Sequence, residues 1–481
     1  MTHDGRSDRR TVAVIGGGVA GLAAAFLLKD AGVKVTVLEG SPRLGGKLSV
    51  SDVAGVPVDA GAEALLARRP EGVGLIGELG LAGDLQTPGT TAAGIWTRGR
   101  LRPLPRRHFM GVPADFDELA VTGILSADGL TRARQDLSLP DSALDGDESV
   151  TSRVGGRFGP EVVDRLVEPL LGGVYAGRCE DLSFEATLPG LAHAARGHRS
   201  LTQAAASLLP PEPLPDQAAT SAPPVFTTLT SGLGTLPAAL AKASGADIRT
   251  SAMARELART GTGWRLTVGS AHDPQRVNAD AVIIAVPGRP ASRLLADVTG
   301  AASAAAALAE IRYASMAIVT LAYPEAAFSA PVGGSGFLVP AVDGRNVKAV
   351  TFSTVKWPHL RRSEKGLHIV RCSVGRLGEE AVLQRDDDEL AALAAADLRD
   401  ATGVQGEPVD VRVSRWGGGL PQYSVGHLDR VARIRAGVAT QPGLAVCGAA
   451  YDGVGIPACV ATARLAVDQV LAYLGSLEMS V

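Results

Sequence analysis

Short unbroken apolar runs punctuated by glycine mark the two ends of the chain, and alternating or amphipathic patterns fill its middle. TVAVI (11–15) and VKVTVLE (33–39) predict buried parallel strands, with LAAAFLLKDAG (22–32) as the helix between them. ADAVIIAVP (279–287) predicts a further buried strand, and LAVCGAAYDGVGIPACVATARLAVDQVLAYL (444–474) repeats the order strand, glycine loop, helix. Between these ends, residues 245–270 predict short strands around a turn. YASMAIVTLAYP, NVKAVTFSTV and LHIVRCSVG, within 311–378, alternate as strands of a mixed sheet do. Residues from about 90 to 205 read as loops and helices, including the amphipathic GPEVVDRLVEPLLGGV (159–174). LLPPEPLPDQAATSAPP (208–224) reads as an extended, exposed bridge.

The glycines after the first strand carry chemistry. Gly16, Gly18 and Gly21 have the spacing G-x-G-x-x-G. The first allows a tight turn, the second lets backbone approach a pyrophosphate, and the third lets helix pack close on strand. The N–H groups at the helix start point at the phosphates. Glu39, ending the second strand, is placed to accept hydrogen bonds from a ribose, and no arginine follows at once to receive a 2′-phosphate. That disfavours NADP. A second glycine turn, GSPRLGGK (40–47), brings Arg43 and Lys47, more than a simple NAD domain needs. The loop with Gly448, Gly453 and Gly455 then opens a C-terminal helix, whose positive end suits the electron-rich edge of a flavin. Two such loops suit FAD lying extended between them.

Composition narrows the partners. With 46% hydrophobic and 20% charged residues the chain is ordinary for a soluble protein, and a net charge of −3 argues against nucleic acid. The four cysteines show no C-x-x-C spacing and the histidines are dispersed, so no metal site is expected. MTHDGRSDRR lacks an apolar core for a signal peptide, and no uncharged stretch reads as a transmembrane segment, so a cytoplasmic protein is expected.

EPLLGGVYAGRCEDLS (168–183), SGLGTLPAAL (231–240) and RWGGGLPQYSVGH (415–427) resemble the bacterial protoporphyrinogen/coproporphyrinogen oxidases, FAD enzymes of haem biosynthesis within the monoamine-oxidase-like superfamily. The similarity runs over nearly the whole chain and in order. It implies an α/β fold: a Rossmann-like FAD-binding domain interrupted by a helical domain and a mixed-sheet substrate domain. The expected divisions are 1–85, 208–300 (with the linker) and 411–481 for the FAD-binding parts, 86–207 for the helical/substrate part and 301–410 for the substrate sheet. The resemblance further implies FAD contacts at Gly16, Gly17, Gly18, Val19, Ala20, Gly21, Glu39, Gly40, Lys47, Gly61, Ala62, Glu63, Ala64, Trp416, Gly453, Val454, Gly455 and Ile456. A main-chain contact to adenine is implied at Ala254, where a valine is typical.

A porphyrinogen oxidase needs an apolar cavity with cations at its mouth, and the flavin carries the electronics. No catalytic side chain is expected. Arg68 and Tyr175 are the expected substrate contacts, with Arg69, Arg178 and Arg345 as further cations about the cavity. Glu168 reads as cavity wall and His427 as a structural hydrogen-bonder. The single Tyr451 does not supply the paired aromatic cage of an amine oxidase. Among the members it resembles, soluble enzymes of GC-rich Gram-positive bacteria usually act in the coproporphyrin route, and the arginine-rich composition fits that source. Coproporphyrinogen III with oxygen as acceptor is therefore the expected substrate pair. Protoporphyrinogen IX is the alternative, and another flavin amine oxidase or desaturase a more distant one. A transient contact with the next haem-pathway enzyme goes with that reading.

Overall fold

Alternate residues of the first and fourth strands of the central sheet serve two different cores, and this alternation builds the molecule. Val12, Val14, Ala281 and Ile283 face one core, and Ala13, Ile15, Val282 and Ile284 the other. The computed structural model describes residues 9–140, 146–211, 224–362 and 366–479. Most of the charged N-terminal stretch and most of the proline-rich bridge lie outside the described residues. The central sheet is parallel, in the order Asp247–Arg249, Lys34–Leu38, Thr11–Ile15, Ala281–Ile284, Leu444–Val446. Thr11–Ile15, Ala281–Ile284 and Leu444–Val446 are buried on both faces, which is why they read as nearly continuous apolar runs, whereas the edge strand Asp247–Arg249 is largely exposed.

On one face of this sheet pack the helices Val19–Leu27, Leu236–Ser244 and Ile456–Glu478, through Leu22, Phe26, Leu240, Val460 and Val467. On the other lie the antiparallel strands Ala254–Arg259, Trp264–Gly269 and Pro274–Ala279 and the helices Gly288–Ala296, Ala302–Ala309 and His427–Ala439. The first helix starts three residues before the expected Leu22 and stops at Leu27, with the chain turning through Gly32 in the left-handed region. Ile456–Glu478 is long and apolar enough to cross a membrane by length and composition alone. Its apolar face is spent on the core, where Ile456, Cys459, Val460, Ala463, Val467 and Val470 are buried.

A second sheet of seven strands runs Asp410–Pro421, Tyr313–Pro324, Leu367–Val374, Val347–Phe352, Gly336–Leu338, Gly94–Thr97, Arg100–Pro103. Every neighbouring pair is antiparallel except Gly336–Leu338 with Gly94–Thr97. One expected division shifts accordingly. Asp410–Pro421 belongs to this sheet and not to the C-terminal nucleotide-binding part, because its backbone pairs with Tyr313–Pro324 from Tyr313 to Ala322. The stretch 86–207, expected as a helical and substrate part, lends the sheet two strands and holds the short antiparallel pair His108–Phe109 and Val112–Pro113. Most of its other elements are helical, with a π-helical turn at Val163–Val167 leading into the helix Glu168–Tyr175.

Ile283 is fully buried in the middle of the parallel sheet. Ile283→Ala should lower the unfolding free energy by about 2–5 kcal/mol in urea titrations, the usual cost of such a cavity. A cost under about 0.5 kcal/mol would contradict the burial.

Candidate functional site

The glycine turns meet where the parallel strands end. Gly16 has φ +112°, and a Cβ there would stand 2.6 Å from the Ala285 carbonyl oxygen. A Cβ on Gly21 would stand 2.0 Å from the Gly16 carbonyl oxygen, so only glycine lets the helix lie this close to its strand. Gly18 differs: a Cβ there meets nothing within 4 Å. Its surroundings in the protein are open, so the fold itself makes no demand for glycine here, and the space suits a ligand approaching the backbone. Gly18 also caps the helix Val19–Leu27 without a side-chain bond, and no acidic residue stands in the first turn. The uncapped start of this helix is thus an end suited to receive an anion.

The Glu39 carboxylate accepts the N–H of Gly17 at 2.7 Å and that of Ser41 at 2.7 Å. Two charge-assisted bonds fix it beside the turn, and a carboxylate retains further lone pairs for ribose hydroxyls. The Glu39 carbonyl accepts the Ala252 N–H at 2.7 Å, and Met253 packs on Gly40. The stretch leading into Ala254 is thereby held beside Glu39, which suits a main-chain contact to adenine. The second turn locks onto the first, with the Gly45 N–H donating to the Gly17 carbonyl at 2.8 Å. Arg43 donates to the carbonyls of Leu44, Leu48 and Gly46 and lies over the Trp416 ring. It braces the loop.

Lys47 is the other cation of that turn. Burial pushes its ammonium below the usual range, while nearby Cys459 pulls it up. No carboxylate pairs with it among the described residues. Cys459 lies in the first turn of the C-terminal helix, so Lys47 sets the second glycine turn beside the last. That helix is capped by Gly455 without a side-chain bond and has no acid in its first turn. Gly453, at φ +143°, donates its N–H to the Tyr423 hydroxyl at 2.7 Å, and that hydroxyl donates to the Ala449 carbonyl at 2.8 Å. Tyr423 therefore shapes the loop carrying Val454 and Ile456. It lies inside RWGGGLPQYSVGH, a motif that marks the place without revealing this role.

The Gly61–Ala64 segment closes the site from the side of the seven-stranded sheet. A Cβ on Gly61 would fall 1.9 Å from the Lys47 carbonyl oxygen. The Trp416 indole N–H donates to the Ala60 carbonyl at 3.0 Å, and Arg371 to the Gly61 carbonyl at 2.6 Å. Ala62 donates weakly to the Lys47 carbonyl at 3.4 Å. Glu63 turns its side chain away, pairing with Lys356 at 2.7 Å and with Arg371. Burial alone would raise its pKa, but the two cations outweigh it and bring the carboxyl down to about 2. Its carboxylate is spent on structure, leaving only the main chain free for a cofactor. Asp59, next to this segment, is pushed up to about 6 by burial, although it accepts the N–H groups of Leu233 and Gly234.

The expected cations divide sharply. Arg69 pairs with Glu71, Arg178 with Glu168 and Glu379, and Arg345 with Asp397 and Asp400. Arg68 is exposed and has no carboxylate partner among the described residues. Tyr175 is buried at the end of its helix, its ring 5.4 Å from that of Tyr423. His427 stacks on Tyr423 at 3.8 Å, and its Nε2 lies 2.9 Å from the Tyr451 carbonyl. Burial lowers its pKa to about 4, so the neutral ring donates Nε2–H there and acts as a strut.

Three features fit an extended dinucleotide: the open space at Gly18, two uncapped helix starts without acids, and the unpaired Lys47. Comparison with known proteins agrees. The family model described as flavin-containing amine oxidoreductase matches residues 19–471. The coproporphyrinogen III oxidase of Mycobacterium tuberculosis is 38% identical over 472 residues, covering 97% of this chain and 98% of the relative. That of Bacillus subtilis is 31% identical over 476 residues, covering 97% and 99%. A solved structure from Exiguobacterium sp. 255-15, provisionally named a protoporphyrinogen oxidase, superposes with a TM-score of 0.84 at 30% identity, covering 97% of this chain and 100% of that one. Cyclohexylamine oxidase from Brevibacterium oxydans shares the fold, with a TM-score of 0.71 at 16% identity over 97% and 100% of the two chains.

Gly18 and Gly21 should separate under substitution. Gly18→Val should leave the stability of flavin-free protein within about 0.5 kcal/mol while FAD affinity, by calorimetric titration, falls at least about tenfold. Gly21→Val should destabilise the flavin-free protein itself. Equal behaviour of the two would remove the pyrophosphate from Gly18.

Glu63 should show its pairing through pH. Its folded pKa is depressed, so its contribution is complete above the ordinary value of 4.5 and lost as pH falls toward about 2. Glu63→Gln should cost about 3–5 kcal/mol at neutral pH, leaving two buried cations short of a counter-charge. The gap from wild type should narrow across that acid window in urea titrations. A gap independent of pH would refute the ionic role.

Proposed function

The chain belongs to the family of flavin-containing amine oxidoreductases, and on that premise we propose that it oxidises coproporphyrinogen III to coproporphyrin III in haem biosynthesis. Three oxygen molecules take up six electrons and six protons and leave as three molecules of hydrogen peroxide. The likeness to proteins named coproporphyrinogen III oxidase, over nearly the full length of both chains, carries this reading. FAD would supply the hydride-accepting chemistry when bound. The residues proposed to hold it are the Gly16–Gly21 turn, Glu39, Gly40, Lys47, the main chain of Gly61–Ala64, Ala254, Trp416 and the Gly453–Ile456 loop.

The protein's own groups are proposed to orient the substrate and keep water from it. The helix Glu168–Tyr175 lies beside Leu338, near Gly173, and offers an apolar wall with Tyr175 buried at its end. Arg68, free of a carboxylate, is the cation proposed for a propionate. Arg178 and Arg345 are tied up in ion pairs and drop out of that role, which removes part of the electrostatic case for four propionates. A side-chain base is not required by this reading, and His427, neutral and bonded to the Tyr451 carbonyl, is not placed as one. A cytoplasmic location goes with the proposal.

Protoporphyrinogen IX is the second reading, favoured by the 26% identity to protoporphyrinogen oxidase 2 of Arabidopsis thaliana. Side-by-side turnover, followed by porphyrin fluorescence and peroxide release, should give the higher kcat/KM for coproporphyrinogen III and three peroxides per porphyrin. A higher kcat/KM for protoporphyrinogen IX would transfer the assignment, and no oxidation of either would end it. Arg68→Ala should raise KM about twofold to fivefold with kcat unchanged, since a solvent-accessible charge contact is worth only about 0.2–1 kcal/mol. An unaltered KM would return Arg68 to the solvated surface.

A further inference from the structure

A pocket bounded by Glu168, Pro169, Gly172, Val339, Lys348 and Arg376 lies between the helix Glu168–Tyr175 and the strand Val347–Phe352. Lys348 is only 4% exposed, and its ammonium has no hydrogen-bond partner. A buried cation without an acceptor is costly. Its charged neighbours are already engaged with one another. Arg376, also buried, donates to the Val339 carbonyl at 3.1 Å and pairs with Glu379 at 3.3 Å. Arg178 pairs with Glu379 and, at 3.4 Å, with Glu168, which also accepts the Cys179 N–H at 3.2 Å. The group holds three cations, Lys348, Arg376 and Arg178, against two carboxylates, Glu168 and Glu379. One positive charge is left over, and it sits on the side chain that lacks an acceptor.

We propose that this pocket binds a single monatomic anion of the halide class, held by the Lys348 ammonium with the Arg376 guanidinium beside it. The free space admits about one small guest, close to the size of a water molecule. A carboxylate or phosphate needs more room, and a polyvalent oxyanion would overshoot the single excess charge and face Glu168. Burial and Arg376 push the Lys348 pKa down to about 7 while Glu379 pulls it up. Ammonium and amine are therefore close in free energy, and an anion in contact with the nitrogen holds the ammonium form. The bound ion would tie the strand to the helix and stabilise the folded protein by mass action. None of this depends on which porphyrinogen is oxidised.

Two arms test the site. Crystals of the flavin-loaded protein soaked in sodium bromide should give an anomalous peak in the pocket, within contact distance of Lys348 Nζ. At a pH of about 6.5, just below the Lys348 pKa, and at constant ionic strength, exchanging gluconate for chloride should raise the thermal midpoint by a few degrees and saturate. The rise should vanish in Lys348→Met, which also lacks the bromide peak. Absence of bromide from the wild-type pocket, or a peak that persists in Lys348→Met, would overturn the assignment. Should that variant fail to fold, the wild-type bromide map decides alone.

Discussion

The closeness of Gly21 to the Gly16 carbonyl oxygen fixes how near the first helix lies to the first strand. Everything at the site is measured from that contact. It brings the uncapped helix start to the carboxyl end of the parallel sheet and frames the open space at Gly18. The second glycine turn then bonds to Gly17, and the Lys47 carbonyl sits where a Cβ on Gly61 would be. Segments that begin near residues 11, 40 and 61 are drawn together by backbone contacts that larger side chains would forbid.

Around this neutral frame the charges sort into two kinds. Glu63 is matched by Lys356 and Arg371, and the Gly61 carbonyl shares Arg371, so these groups stiffen the wall. Lys47 has no carboxylate partner among the described residues and is open to an anionic guest, as the helix starts are. A structural ion pair satisfies itself, whereas a binding site keeps its charge unspent. The same distinction separates Arg68 from Arg178 and Arg345, and it sets Lys348 apart in its own pocket.

Much of the nucleotide half is legible in the amino-acid sequence. The first and second strands, the glycine spacing and Glu39 are signals local in sequence, and buried parallel strands announce themselves as apolar runs. The seven-stranded sheet is legible only in pieces. Nothing local in Gly94–Thr97 or Arg100–Pro103 reveals that they extend a sheet whose other strands begin more than 200 residues later. Long-range ion pairs are equally hidden. Glu63 reads as part of a flavin loop until Lys356, 293 residues away, is seen to claim its carboxylate. Tyr423 stands inside a conspicuous motif, but its bonds to Ala449 and Gly453 require the C-terminal loop to be folded against it.

One FAD, lying extended between the first and last glycine turns and held without a covalent bond, is the cofactor proposed for this site. Acid precipitation of the purified yellow protein, followed by chromatography of the supernatant, tests this most directly. Close to one equivalent of FAD per chain should be released. FMN in the supernatant, flavin retained on the pellet, or no flavin at all would contradict the account.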